Sequence, residues 1–139
     1  EKGSAAQVAR LERSLRIFPW RASGWEDLAE AARQQAGGAL EIYRYRDAIE
    51  RGYRRAIQEN PYEPRYFEQL YYLYRDTNEA DRAVATVLEG VRTNPNDLVL
   101  RLLLVRELER SGSLVMATWH LRQAALRIAS DSERPELVL

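Results

Sequence analysis

An Asn-Pro pair occurs twice at repeat-like separation, as Asn60-Pro61 and again as Asn94-Pro95. Proline has no amide hydrogen to give and its ring clashes with the preceding turn, so each pair ends whatever helix runs into it. Between the two lies a stretch with two helical stripes. Phe67, Leu70, Tyr71 and Tyr74 stand at i, i+3, i+4 and i+7, the spacing of one buried helix face. Ala83, Val84, Val87 and Val91 form a second stripe that stops at Thr93-Asn94-Pro95. Asn78 separates them, and asparagine tolerates the left-handed backbone that a helix end requires. The stretch therefore reads as a helix–turn–helix hairpin.

Advancing the pattern by the interval between Pro61 and Pro95 places Leu104 for Leu70, Leu108 for Tyr74, Ala117 for Ala83, Leu121 for Val87 and Ala124 for Gly90, with Gly112 where Asn78 stood. The period and the order of aromatic, leucine, tyrosine, alanine and proline positions resemble the tetratricopeptide repeat. The resemblance implies an all-α, right-handed α-solenoid of about three helix-turn-helix hairpins. Two departures stand out. Tyr71 and Val105 occupy a place usually held by a small residue, and Gly90 stands where alanine is usual; Gly90 is expected to open the space that Tyr71 fills. The last proline position is Ala129, so the final helix lacks its stop.

Read in that register, residues 1–139 form a single tetratricopeptide-like domain. Residues 5–19 are an orphan second helix carrying Val8, Leu11, Leu15 and Ile17 and ended by Phe18-Pro19. Hairpins follow over 22–61, 64–95 and 98–129, and 130–139 is a tail. Ser23-Gly24-Trp25-Glu26 fits a capping box with Ser23 as N-cap. The first hairpin carries eight extra residues, about two helical turns, expected to lengthen both of its helices by roughly a turn. Leu40, Ile42, Tyr43 and Tyr45 in that insertion argue for ordered structure. An orphan helix should leave an apolar face uncovered at the N-terminal end, and no polar capping helix is evident at the other. The chain thus reads as a fragment of a longer protein, with association through its uncapped ends as one consequence.

Composition excludes most chemistry. Lys and Arg number 21 against 21 Asp and Glu, so no net field draws the chain to nucleic acid or an anionic surface. All basic residues but Lys2 are arginine, read here as the coding bias of a GC-rich genome. Without cysteine there is no disulfide framework and no thiolate metal site. Nothing approaches a membrane span or a signal peptide, so direct membrane insertion is not expected, and cytoplasm and periplasm both stay open. His120, the sole histidine, cannot build a His-His metal site or a Ser-His-Asp set alone, and is expected to be a surface or half-buried helix residue. Carboxylate pairs such as Glu26 and Glu30, one turn apart, read as a solvated face. Gly37-Gly38 lacks the lysine of a phosphate loop. No catalytic residue, metal site or cofactor is expected.

Five tyrosines crowd one helix and its approach: Tyr62, Tyr66, Tyr71, Tyr72 and Tyr74. Tyr71, Tyr74 and Phe67 sit on core positions, Tyr66 should pack toward the preceding hairpin, and Tyr72 should face the inner side. Members of the resembling family bind ligands on a concave surface lined by the first helix of each hairpin. Carried over by position, that lining is Glu26, Glu30 and Arg33, then Arg65, Glu68, Tyr72 and Arg75, then Val99, Leu102, Arg106 and Arg110. The family's clamp for chaperone C-termini needs lysine and asparagine where this chain has Glu26, Glu30, Glu68 and Tyr72, so that role is excluded. The resemblance implies a non-catalytic protein-interaction scaffold, with an acidic peptide or protein loop as the expected partner. A second reading is an accessory domain of a larger bacterial membrane-associated polysaccharide ligase, synthase or export protein, positioning the enzyme without binding a free peptide. RNA binding is disfavoured by the balanced charge.

Overall fold

A computed structural model describes residues 5–38 and 40–132, and for Ala22, Asp131 and Ser132 the backbone alone. The tail from Glu133 lies outside the described residues. Among the described residues seven helices follow in order: α1 (Ala5–Ile17), α2 (Ala22–Gln35), α3 (Glu41–Glu59), α4 (Pro64–Asp76), α5 (Ala80–Thr93), α6 (Leu98–Arg110) and α7 (Leu114–Ser132). Each packs on the next, and α4 also meets α6, so the first helices of successive hairpins are neighbours. This is the all-α, tetratricopeptide-like solenoid expected from the period. Among the described residues no helix is long and apolar enough to cross a membrane.

The repeating turns are built by backbone chemistry that the period anticipates. Asn78 adopts φ 59° and Gly112 φ 76°. After α4, the Glu79 amide donates to the Tyr74 carbonyl at 2.7 Å and the Asn78 amide to that of Arg75 at 3.3 Å. After α6, the Ser113 amide reaches Leu108 at 2.8 Å and the Gly112 amide reaches Glu109 at 3.1 Å. These are matching Schellman closures, which satisfy carbonyls left over at a helix end. The Asn-Pro turns are tied to each other as well, because the Asn94 side-chain amide donates to the Pro61 carbonyl at 3.1 Å.

The core runs the length of the stack through Leu28, Ile49, Phe67, Leu70, Tyr71, Tyr74, Val87, Leu100 and Leu104, all essentially inaccessible. Several local expectations change. The eight extra residues go mainly to one helix: α3 has 19 residues against 14 in α5, whereas α2 has 14 against 13 in α4. The remaining length lies in the connection 36–40. Gly90 does not make room for Tyr71; a Cβ there would stand 3.0 Å from Phe67 and Leu100. The closest helix approach is instead in the first hairpin, where a Cβ on Gly52 would stand 2.6 Å from the Trp25 carbonyl and 2.7 Å from Ala29 Cβ. The capping box fails because α2 begins at Ala22, with Arg21 as N-cap and no side-chain cap bond. Ser23 is already inside the helix. Side-chain caps occur instead at Glu63, which accepts from the Arg65 amide, and Asp97, which accepts from the Leu100 amide at 2.8 Å.

The N-terminal end also differs from expectation. α1 buries Val8 and Leu15 against α2 and exposes Ala6, Arg10, Arg13 and Arg16. Its outer side is basic, and exposed apolar bulk at this end is confined to Ile17, Phe18 and Trp20. The end helix turns a polar side to water because its apolar residues form a single stripe.

A candidate binding groove on the first helices

The residues expected to line a groove sit on α2, α4 and α6, and the structure gathers them into two clusters and a free strip. At the first cluster, the Glu26 carboxylate takes a close ion pair from Arg65 and a 2.9 Å hydrogen bond from the Tyr66 hydroxyl. This engagement is where the Glu26 expected in the capping box has gone. Tyr66 packs toward the first hairpin as expected, its ring 6.4 Å from that of Tyr53. Burial and the facing Glu26 carboxylate raise its pKa. Nearby, Arg33 donates to the Gln69 carbonyl at 3.0 Å, joining α2 to α4. Glu30 is exposed, whereas Glu68 and Tyr72 are half-buried, with Tyr72 edge-on to Tyr71 at 5.3 Å.

The second cluster centres on a residue that the sequence reading passed over. Glu107 is buried, 5% exposed, and accepts a 2.6 Å hydrogen bond from the Tyr71 hydroxyl. Arg110 lies at 3.1 Å and Arg75 at 3.6 Å. Burial, then the Glu107 hydrogen bond, pushes the Tyr71 phenol up to about 12. A buried carboxylate is tolerated only when paired and hydrogen-bonded, and here α4 supplies two of the three partners. The signal was present in the repeat: Glu107 stands one full period after Leu73, which is wholly buried. A carboxylate at a core position demands partners.

Of the five inward arginines, Arg33, Arg65, Arg75 and Arg110 are therefore engaged within the chain. Arg106 is exposed and has no polar partner among the described residues. It continues a stripe with Val99 and Leu102, each 45% exposed, at spacings of three and four residues. Val99, Leu102 and Arg106 thus form an exposed strip on α6 among the residues expected to line a groove.

The densest ion-pair network lies elsewhere, on the second helices. Arg46 of α3 forks onto Glu79 through Nε at 2.7 Å and Nη2 at 2.6 Å, and also pairs with Asp47 and Glu50. Thr77 Oγ1 adds a 2.6 Å bond to Glu79. The Arg46 bond holds the Glu79 carboxyl at about 2. Arg46, Arg54 and Arg82 surround the Tyr74 ring at 5.8–5.9 Å. This network ties the lengthened α3 to the α4–α5 turn.

His120 is also deeper than expected, at 9% exposed, and its Nδ1 lies 3.2 Å from Nη1 of the equally buried Arg101. Arg101 also donates to the Pro95 carbonyl at 2.6 Å. Burial and the Arg101 cation lower the imidazole pKa, so the neutral ring accepts the guanidinium's hydrogen bond. Among the described residues, no group of three or more His, Asp or Glu side chains is placed to hold a metal.

No protein-family model and no curated protein sequence matches this chain. Solved structures do resemble it. The MamA RS-1 ArsTM double mutant superposes with a TM-score of 0.67 at 14% identity over 91% of this chain, which spans 66% of that protein's length. MamA MSR-1 gives 0.61 at 16% identity over 89% of this chain and 67% of that one. A further MamA structure gives 0.56 at 14% identity over 91% of this chain and 89% of that one. At such identities the likeness is one of fold.

Proposed function

We propose that this chain is a non-catalytic scaffold that holds a peptide or a segment of a partner protein against its first helices. The carrying observation is the strip Val99–Leu102–Arg106, exposed and uncompensated beside a cluster whose other charges are satisfied. A ligand that places a carboxylate on Arg106 and an apolar side chain on Leu102 suits it, since a guanidinium fits a carboxylate through two parallel hydrogen bonds. The satisfied pairs, Glu26 with Arg65 and Glu107 with Arg75 and Arg110, give the face fixed geometry.

The test is selection of displayed random peptides on the chain, followed by calorimetry with the strongest binder. Acidic-apolar sequences are expected to be enriched. Arg106→Ala should cost about 1.5–3 kcal/mol of binding, the range for a hydrogen bond to a charged group, and outward-facing Arg92→Ala should cost little. Arg75→Ala is a poorer probe because it also strips a partner from buried Glu107. Equal losses at Arg106 and Arg92 would leave only diffuse electrostatics and reject the groove. One observation favours the second reading, an accessory domain positioning an enzyme in a larger bacterial polysaccharide ligase, synthase or export protein: the apolar surface that α7 leaves uncovered. On that reading Arg106→Ala leaves the parent's activity unchanged.

A further inference from the structure

We propose that the seam of α7 around Leu121 is a docking site for an acidic amphipathic α-helix from another polypeptide. The argument is a comparison at fixed register. Tyr53 on α3 and Val87 on α5 occupy equivalent positions one period apart; they are 3% and 0% exposed, and the first helix of the next hairpin packs on each of their helices. Leu121 is the third member of that series, yet it is 42% exposed. Its flanking positions behave likewise: Val91 is half-buried where Ala125 is exposed, and Asn94 is half-buried where Ile128 is 56% exposed. Leu121, Ala125 and Ile128 lie on one side of α7. The chain thus repeats, on α7, an interface that it has already built twice, and among the described residues nothing fills it. A helix is the occupant whose ridges match that surface.

Charge selects which helix. From Leu114 to Ser130 there is no acidic residue, while Arg122 and Arg127 flank the seam. A second copy is a poor occupant: stacking α1 of one copy on α7 of another brings Arg10, Arg13 and Arg16 to Arg122 and Arg127, and pairing two α7 helices opposes the same arginines. A partner helix with apolar residues at i, i+4 and i+7 and glutamate or aspartate beside them answers both features.

The probe is a stapled peptide of residues 98–110, the helix that fills the α5 seam, carrying Arg101→Glu, Arg106→Glu and Arg110→Glu; its twin carries lysine at the same three positions. Fluorescence anisotropy with the full chain should show saturable binding of the acidic peptide, weakened about tenfold or more by Leu121→Glu, as for a central apolar anchor. Arg122→Glu with Arg127→Glu should reverse the preference toward the lysine twin. Leu102→Asp, in the groove, should leave this binding unchanged, which separates the seam from the scaffold reading. Circular dichroism checks the fold of each variant. The proposal is overturned by absent binding of the acidic peptide or by equal binding to Leu121→Glu. It is overturned as well by Leu121-dependent self-association in sedimentation, which would assign the seam to a second copy. Leu121-dependent binding to phosphatidylglycerol vesicles without peptide binding would assign it to lipid.

Discussion

The two end helices of the stack solve the same problem in opposite ways. α1 packs on α2, with one ion pair from Glu12 to Arg51 of α3; it buries Val8 and Leu15, leaves only Ile17 of its large apolar residues exposed, and carries arginines on its outer side. Among the described residues α7 packs on one helix, α6, but exposes Leu114, Val115, Met116, Trp119, Leu121, Leu126 and Ile128 while burying Ala117, His120 and Ala124. A helix with one apolar stripe is satisfied by one contact; a helix apolar on several sides is built for several. The small residues on the buried side of α7 let it sit close to α6, and its larger side chains point elsewhere. This exposed apolar surface is what the proposed docking seam rests on. The difference teaches that what a helix leaves exposed follows from how many apolar stripes it carries relative to the helices packed on it.

The strongest way to break the comparison is to place the same charge at equivalent positions. Val87→Glu buries a carboxylate without a partner and should cost about 4 kcal/mol or more, the exceptional range for single substitutions. Leu121→Glu, at the same register on α7, should stay within about 0.5 kcal/mol, as for a surface change. Urea unfolding of both variants checks this, and similar losses would mean that α7's seam is covered. A smaller effect compares the middle of the stack with the α1 end. Leu70→Ala should cost about 2–5 kcal/mol, whereas Leu15→Ala, at the edge of the stack, should fall at or below the lower limit of that range. Thermal melts that rank them the other way would show that α1 contributes more than an edge.

The smallest expected effect is a dependence on pH that only the α7 end should show. The His120 pKa is lowered in the folded chain by burial and by Arg101. Its contribution to stability is therefore complete above the unfolded value of about 6.5 and is lost as pH falls through the folded value. Amides of α7 should lose exchange protection over that descent while those of α1, which has no histidine, keep theirs. His120→Gln should remove the difference. Glu79 acts lower down, its contribution present above the ordinary glutamate value and lost as pH falls toward about 2.

Much of the architecture was legible because the repeat is written in residues whose effects are local. The Asn-Pro pairs, Asn78 and Gly112 stop or turn the backbone through their own conformational preferences, so their places predicted the turns correctly. The contacts among the residues expected to line a groove were only partly legible. Register placed Arg65, Arg75 and Arg110 on the right helices, but could not tell that Glu26 and Glu107 would engage them. Glu26 is distant in the chain from Arg65, and Glu107 from Arg75, so only the stacking of α2, α4 and α6 brings them within reach. Glu107 itself was visible as a break in a core position.

By itself, then, the sequence determined the period, the helix stops and the core stripe through Leu70 and Val87. Each follows from a residue's own backbone preference or from spacing along one helix. Tertiary structure decided the rest: that Gly90 clears Phe67 and Leu100, that Gly52 admits the Trp25 carbonyl, that the insertion lengthens α3 alone by more than a turn, that Arg106 is left without a polar partner among the described residues, and that Leu121 faces outward at a position buried twice before. These depend on which surface another helix brings opposite, and a contact between helices is a property of two segments at once.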